Sequence, residues 1–189
     1  MAHPSNIILI GPPFSGKSTL GKLLAQKLDR PNISFDEIRW HYFKEIGYDE
    51  DLAACLRQKG GFLSLVAYWS QFNAYGIERL LQEHQNCVID LGGGPIVFEN
   101  SLSSAQIQKA LEPFPYVIRL LPSPDLERSV EVLQKRASHL IGTNAQGFNW
   151  SRFFVSHKKN QRLAKFEVFT DGKTPEESCA DIFNLIRIE

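Results

Sequence analysis

Apolar residues gather in short runs at 7–10, 33–35, 87–91, 116–121 and 166–170, each closed by polar, glycine or proline residues. Such brief apolar runs suit strands buried on both faces. Between them apolar positions recur with helical spacing, which predicts helices over 17–28, 36–46, 62–83, 103–111, 124–138, 150–164 and 175–187. Alternating strand and helix implies an α/β fold of three layers, a five-stranded parallel sheet between helices, with ligands at the carboxyl ends of the strands. Two stretches break the alternation. Residues 47–83 form a long helical insertion, and 139–149, with Gly142, Thr143, Asn144, Gln146 and Gly147, read as a loop able to move. No repeat or linker-like tract divides the 189 residues, so 1–189 is expected to be a single domain.

Composition narrows the partners. Twenty-one basic residues balance 21 acidic ones, without the basic excess of a nucleic-acid binder, so a small-molecule partner is expected instead of nucleic acid. Cys55, Cys87 and Cys179 are too few and too scattered for a disulfide framework or a zinc site and suit a reducing cytosol. The start of the chain carries no leader pattern and no apolar stretch reaches membrane-spanning length. The expectation is a cytoplasmic protein without membrane contact, a monomer or weak dimer.

The strongest chemical signal follows the first apolar run. Gly11, Pro12, Pro13, Phe14, Ser15, Gly16, Lys17 and Ser18 make a complete G-x-x-x-x-G-K-S loop, with Thr19 continuing into a helical pattern. A strand that delivers such a loop to a helix N-terminus builds a nest of backbone N–H groups for phosphate. Lys17 would carry charge to the β- and γ-phosphates and the Ser18 hydroxyl would ligate Mg²⁺. ATP and Mg²⁺ are therefore the expected cofactors. Asp90 closes a hydrophobic run, the usual form of a carboxylate that holds Mg²⁺ or its water shell; its other reading is a hydrogen bond to loop backbone. Asp36 follows the second run, where it could grip an attacking hydroxyl or cap a helix beginning at Glu37. Gly92, Gly93 and Gly94 would let backbone approach a ligand closely, or simply turn the chain.

The stretch from Ile8 to Ala25, the Ser34-Phe35-Asp36 segment, the glycine triplet, Leu126-Glu127-Arg128-Ser129 and the segment from Thr170 to Pro175 together resemble the shikimate kinase family of small P-loop kinases. The resemblance implies a P-loop NTPase fold of the nucleoside-monophosphate-kinase and shikimate-kinase type, and phosphoryl transfer to a hydroxyl of a small metabolite. It implies catalytic roles for Lys17, Asp36 and a lid cation, Arg136 or its neighbour Lys135, a lid over 136–156, and adenine held between Arg128 and Pro175. Asp36, Arg39 and the glycine triplet would face the acceptor, and Ser18 with Asp90 the metal. The chain departs from the family at Ser34, where the family has an aspartate. It departs again at Ser70-Gln71 and Ser156-His157, where carboxylate-binding arginines are expected, although Arg152 is close. In their place the chain offers Trp40 and Tyr42 before the insertion and Phe62, Tyr68, Trp69, Phe72 and Tyr75 within it, which suit a flat or apolar ligand or ordinary core packing. Two other readings stay open: a nucleotide-binding regulatory protein that has lost transfer, and a nucleoside monophosphate kinase.

Overall fold

The computed structural model describes residues 6–97, 101–138 and 149–187. Strand β1 (Ile7–Ile10) lies at the centre of a five-stranded, wholly parallel sheet with β2 (Asn32–Ser34), β3 (Val88–Asp90), β4 (Tyr116–Leu121) and β5 (Phe166–Phe169), in the order β2-β3-β1-β4-β5. All four side chains of β1 are 1% exposed or less. Ile8 and Ile10 join Phe35, Ile77, Leu80, Ile89 and Val117 on one face, while Ile7 and Leu9 join Leu20, Leu24, Ile118, Leu120 and Ile182 on the other. Strand side chains alternate between faces, so a strand covered on both sides must be apolar throughout. Each such side chain contributes about 1.5–3 kcal/mol on burial.

On the first face lie α2 (Phe35–Glu45), α3 (Glu50–Glu83) and α5 (Ser101–Leu111); on the second lie α1 (Lys17–Leu28) and α9 (Pro175–Arg187). Between β3 and α5 comes the short α4 (Gly94–Val97); α6 (Leu126–Ser138) follows β4, and α7 (Trp150–Ser156) and α8 (Lys158–Leu163) precede β5. β1 is flanked by β3 and β4, so the strand order reverses beside it and a crevice opens past its carboxyl end.

Several boundaries differ from the sequence reading, four of them for reasons the local structure makes plain. Phe35 opens α2 instead of closing β2, because its ring is fully buried edge-on against Phe43, with centroids 6.2 Å apart. The insertion helix begins at Glu50, where Asp49 Oδ1 accepts from the Leu52 N–H at 2.9 Å, and it breaks at Gly61 (φ 70°, ψ −163°). Residues 50–60 bury little and so carry no apolar stripe, which is why the pattern is legible only beyond the glycine pair. The helix expected over 150–164 is two helices, because His157 is extended (φ −73°, ψ 116°) and its Nδ1 accepts from the Lys159 N–H at 3.4 Å. Gly94 belongs to α4, not to a simple turn. The loop expected at 139–149 lies outside the described residues except for Asn149, and with it the middle of the lid. Among those described, no helix is long and apolar enough to cross a membrane.

Candidate active site

A cavity of about 760 Å³ opens at the carboxyl end of β1, lined by residues 13–20, Asp36, Asp90, the glycine triplet, Arg136, Thr170, Lys173, Pro175 and Ser178. The loop at its floor takes its shape from steric necessity. Gly11 (φ 138°) lies so near β4 that a Cβ there would sit 2.4 Å from the Leu120 carbonyl oxygen. Gly16 (φ 98°) caps α1, and a Cβ on it would meet nothing within 4 Å, so it borders open space at the helix N-terminus. No side chain caps α1 and its first turn carries no acid, which leaves the terminal N–H groups and the dipole facing the cavity. Phe14 also holds a positive φ of 66°.

Lys17 is 6% exposed and its Nζ donates to the Pro12 carbonyl at 2.9 Å, folding the side chain back over the loop. Burial pushes its pKa down, while the charges of Asp90 and Asp36 pull it up. Ser18 Oγ donates to Asp90 Oδ2 at 2.7 Å, and Asp90 Oδ1 accepts from the Gly92 N–H at 2.9 Å. Asp90 thus orders the loop backbone through one carboxylate oxygen and receives the hydroxyl at the start of α1 on the other. Among the described residues there is no cluster of three or more His, Cys, Asp or Glu side chains. A hard hydroxyl and carboxylate pair is nonetheless a fitting donor set for Mg²⁺, which keeps several waters and needs only one or two protein ligands.

Gly92 carries the chain toward Asp36. At φ 73° it takes a left-handed conformation, and a Cβ there would fall 2.7 Å from Asp36 Oδ2. Gly93 packs against the phosphate loop, its missing Cβ leaving room for Pro13 Cδ at 2.7 Å and the Gly11 carbonyl oxygen at 3.0 Å. The capping alternative for Asp36 falls away, because α2 has already begun at Phe35 with Ser34 as its cap residue. The Asp36 carboxylate instead pairs with Arg39, Oδ1 to Nη1 3.1 Å, and is 53% exposed, lining the cavity. Desolvation raises its pKa, Arg39 opposes this, Asp90 adds to the rise and Lys17 lowers it. Arg39 does not line the cavity; it lies over the rings of Trp40 and Trp69 at 4.4 and 4.6 Å from their centroids.

At the opposite end Arg136 Nη1 donates to the Phe14 carbonyl at 3.1 Å, tying α6 to the phosphate loop. Pro175 lines the cavity at the start of α9, set there by a capping box: Thr174 Oγ1 accepts from the Glu177 N–H at 3.1 Å and Glu177 Oε2 accepts from the Thr174 N–H at 2.8 Å. Arg128 stands outside the lining, its guanidinium held by Asp171 at 2.7 Å and Glu131 at 3.0 Å. Thr170, which heads a segment that carries the resemblance, is a buried lining residue, and so is Ser178, which the sequence reading did not single out. A T-P-E-E pattern was the available signal, since a capped helix start directs its first turn toward whatever the preceding strand faces. Among these aromatic residues, Tyr42 of α2 and Phe72 of α3 are core, whereas Phe62 of α3 is exposed and meets Trp150 of α7 at 5.8 Å. Arg152 is committed to Glu127 through both terminal nitrogens, at 2.7 and 2.5 Å.

The shikimate kinase family model matches residues 13–187. A shikimate kinase of Alkaliphilus oremlandii is 30% identical over 176 residues, covering 85% of this chain and 95% of that one. A shikimate kinase of Francisella tularensis subsp. holarctica is 35% identical over 97 residues, 51% of this chain, and the match spans about half (49%) of that relative's length. In fold, the chain resembles a shikimate kinase from Acinetobacter baumannii in complex with shikimate, with a TM-score of 0.63 over 97% of this chain and 93% of the other at 17% identity. With the family model spanning nearly all of it, this chain belongs to the shikimate kinase family.

Proposed function

We propose that the protein is an ATP- and Mg²⁺-dependent kinase that phosphorylates a hydroxyl of a small metabolite. The observation that carries this reading is the gathering, in one cavity, of the phosphate loop, the Ser18–Asp90 pair and the Asp36 carboxylate. Phosphoryl transfer to an alcohol needs charge neutralisation, in-line placement and a group that orients the attacking oxygen, and each has a candidate here.

The N–H groups at the start of α1 and the Lys17 ammonium would hold the β- and γ-phosphates, and Ser18 with Asp90 would hold Mg²⁺ and its waters. When bound, Mg-ATP supplies the γ-phosphoryl group and the metal charge that neutralises it. Lys17 Nζ spends one of its three N–H donors on the Pro12 carbonyl, which leaves two for phosphate oxygens. Arg136, anchored on the loop it would serve, is the candidate for charge stabilisation from α6. Pro175 would bound the adenine from the cavity wall, and Arg128, held outside that wall by Asp171 and Glu131, would have to turn inward to stack on its other face. Asp36, on the glycine-triplet side, would orient the acceptor hydroxyl and take its proton. Burial raises its pKa, which makes it a better proton acceptor than an ordinary aspartate.

The acceptor is expected to differ from a carboxylate recognised by paired arginines. Ser70 donates to its own helix at the Ala67 carbonyl (2.8 Å) and Gln71 to the Tyr68 carbonyl (3.0 Å), while Arg152 is engaged by Glu127. The test is ADP release from Mg-ATP by the purified protein, with shikimate, gluconate or nucleoside monophosphates as acceptor and Lys17→Ala as control. Stimulation by one acceptor, absent in Lys17→Ala, supports the reading and assigns the class. Tight ATP binding with no stimulated turnover would favour a nucleotide-binding protein that has lost transfer.

A further inference from the structure

Asp36 is held from two sides. Gly92 leaves room for Oδ2, and Arg39 meets Oδ1 at 3.1 Å one helical turn along α2. An arginine on the first turns of a helix is ordinarily a flexible, solvated side chain. This one is not: its side chain is 12% exposed, and the guanidinium lies against two indoles, Trp40 at 4.4 Å and Trp69 at 4.6 Å. The two rings meet edge to face, with centroids 5.4 Å apart and planes at 64°. Tyr48 buttresses both, packing on Trp40 at 5.4 Å and accepting from Trp69 Nε1–H at 3.3 Å.

The enclosure also limits what else Arg39 can do. Its Nε is buried without a hydrogen-bond partner, and the residue does not line the cavity. A group that recognised the acceptor directly would present its donors to the cavity. Arg39 presents instead a fixed positive charge to a carboxylate that does face it. We propose that Arg39, gripped between Trp40 and Trp69, is the positioning residue that keeps the Asp36 carboxylate aimed into the cavity at the acceptor hydroxyl. The long insertion thereby gains a purpose, because α3 packs across α2 and delivers Trp69, closing the second wall of the clamp. A guanidinium stacked on aromatic faces keeps its in-plane donors free, so the same group can be held by the rings and still hold a carboxylate. The acceptor-facing role of Asp36 rests on the proposed kinase function, but the pairing can be measured with no acceptor present.

The charged groups facing Asp36 are Arg39 and Glu37 of its own helix, Lys17 at the start of α1 and Asp90 at the end of β3. Removing Arg39 leaves two carboxylates and the cleft environment opposed only by Lys17. The experiment follows the ¹³Cγ resonance of Asp36, assigned with Asp36→Asn, through a pH titration of the ligand-free protein. In Arg39→Met, which keeps the stem between the indoles, the Asp36 midpoint should rise by about 1–3 pH units. Arg39→Lys should restore most of the wild-type midpoint. Trp69→Leu, which keeps the charge and opens one wall, should move it in the same direction by less, and it tests the clamp independently should Arg39→Met fail to fold. An Asp36 midpoint unmoved in folded Arg39→Met, or unmoved in Trp69→Leu, overturns the proposal and leaves Arg39 a packing residue. Failure of the kinase reading looks different: no acceptor stimulates ADP release by a wild-type protein whose Asp36 signal still responds to Arg39→Met.

Discussion

Ser18 and Asp90 sit at the start of α1 and the end of β3, and a 2.7 Å hydrogen bond from the Ser18 hydroxyl to Asp90 Oδ2 joins them across the mouth of the sheet. The register explains the meeting: Asp90 pairs with Leu9 of β1 and Ser34 of β2, so it ends level with the strand that launches the phosphate loop. Asp90→Asn should preserve the Gly92 contact through its amide oxygen yet weaken the metal side of the pair. The Mg²⁺ concentration giving half-maximal ADP release is expected to rise by about tenfold, a loss of roughly 1.4 kcal/mol. An unchanged Mg²⁺ dependence would remove Asp90 from the metal's surroundings.

Asp36→Asn removes the proton acceptor and leaves the phosphate loop untouched. Turnover with a stimulating acceptor should fall by about 10²–10⁴-fold, with ATP affinity held within about twofold. Because desolvation raises the Asp36 pKa above 3.8, wild-type turnover should be lost on acidification at a pH above the ordinary aspartate range, as the carboxylate takes up its proton. Equal losses of turnover and of ATP affinity in the variant would instead mark a general disturbance of the site.

Gly92→Ala combines a left-handed backbone with a Cβ placed 2.7 Å from Asp36 Oδ2. Strain of that kind costs about 1–3 kcal/mol, readable as a lower urea midpoint. Displacement of the carboxylate should also reduce turnover more than ATP binding. A variant with wild-type stability would mean that the loop relaxes without cost.

Glu45 receives Arg79 Nε–H at 2.9 Å and the Tyr75 hydroxyl at 2.6 Å, tying α2 to α3 beside the clamp. The hydrogen bond from Arg79, then that from Tyr75, lowers its pKa from 4.5 to about 2. A depressed carboxylate stabilises the fold above its unfolded pKa and loses that contribution as pH falls through the folded one. Glu45→Gln should therefore be less stable than wild type at pH 7, and the two urea midpoints should converge as the pH falls below about 4.5. A constant difference down to pH 3 would show that the carboxylate charge is not what Arg79 and Tyr75 recognise.

Much of the molecule can be read before any coordinates. Five apolar runs became five parallel strands: β1, covered on both faces, has no polar position to spare, while the edge strands β2 and β5 carry Asn32, Ser34 and Glu167. The phosphate loop was legible because its chemistry is backbone chemistry at fixed spacing, from Gly11 to Ser18. Asp36, Asp90 and the glycine triplet were legible as candidates, being the residues that leave the carboxyl ends of strands. The break at His157 was not, since helical periodicity continues past a break that one residue's dihedral angles decide, and the helix before Gly61 was missed because residues 50–60 bury too little to show an apolar stripe.

The pairings among those candidates belonged to the tertiary structure alone. Nothing in the order of residues says that Gly92 must lack a Cβ because Asp36 lies beside it, that Asp90 reaches Ser18, or that Trp69 closes over Arg39. Local sequence determines which groups stand at the end of each strand, because periodicity and loop chemistry act within a few residues. Which of them touch depends on the strand order β2-β3-β1-β4-β5 and on how α3 packs across α2, and those follow from burying distant apolar faces together.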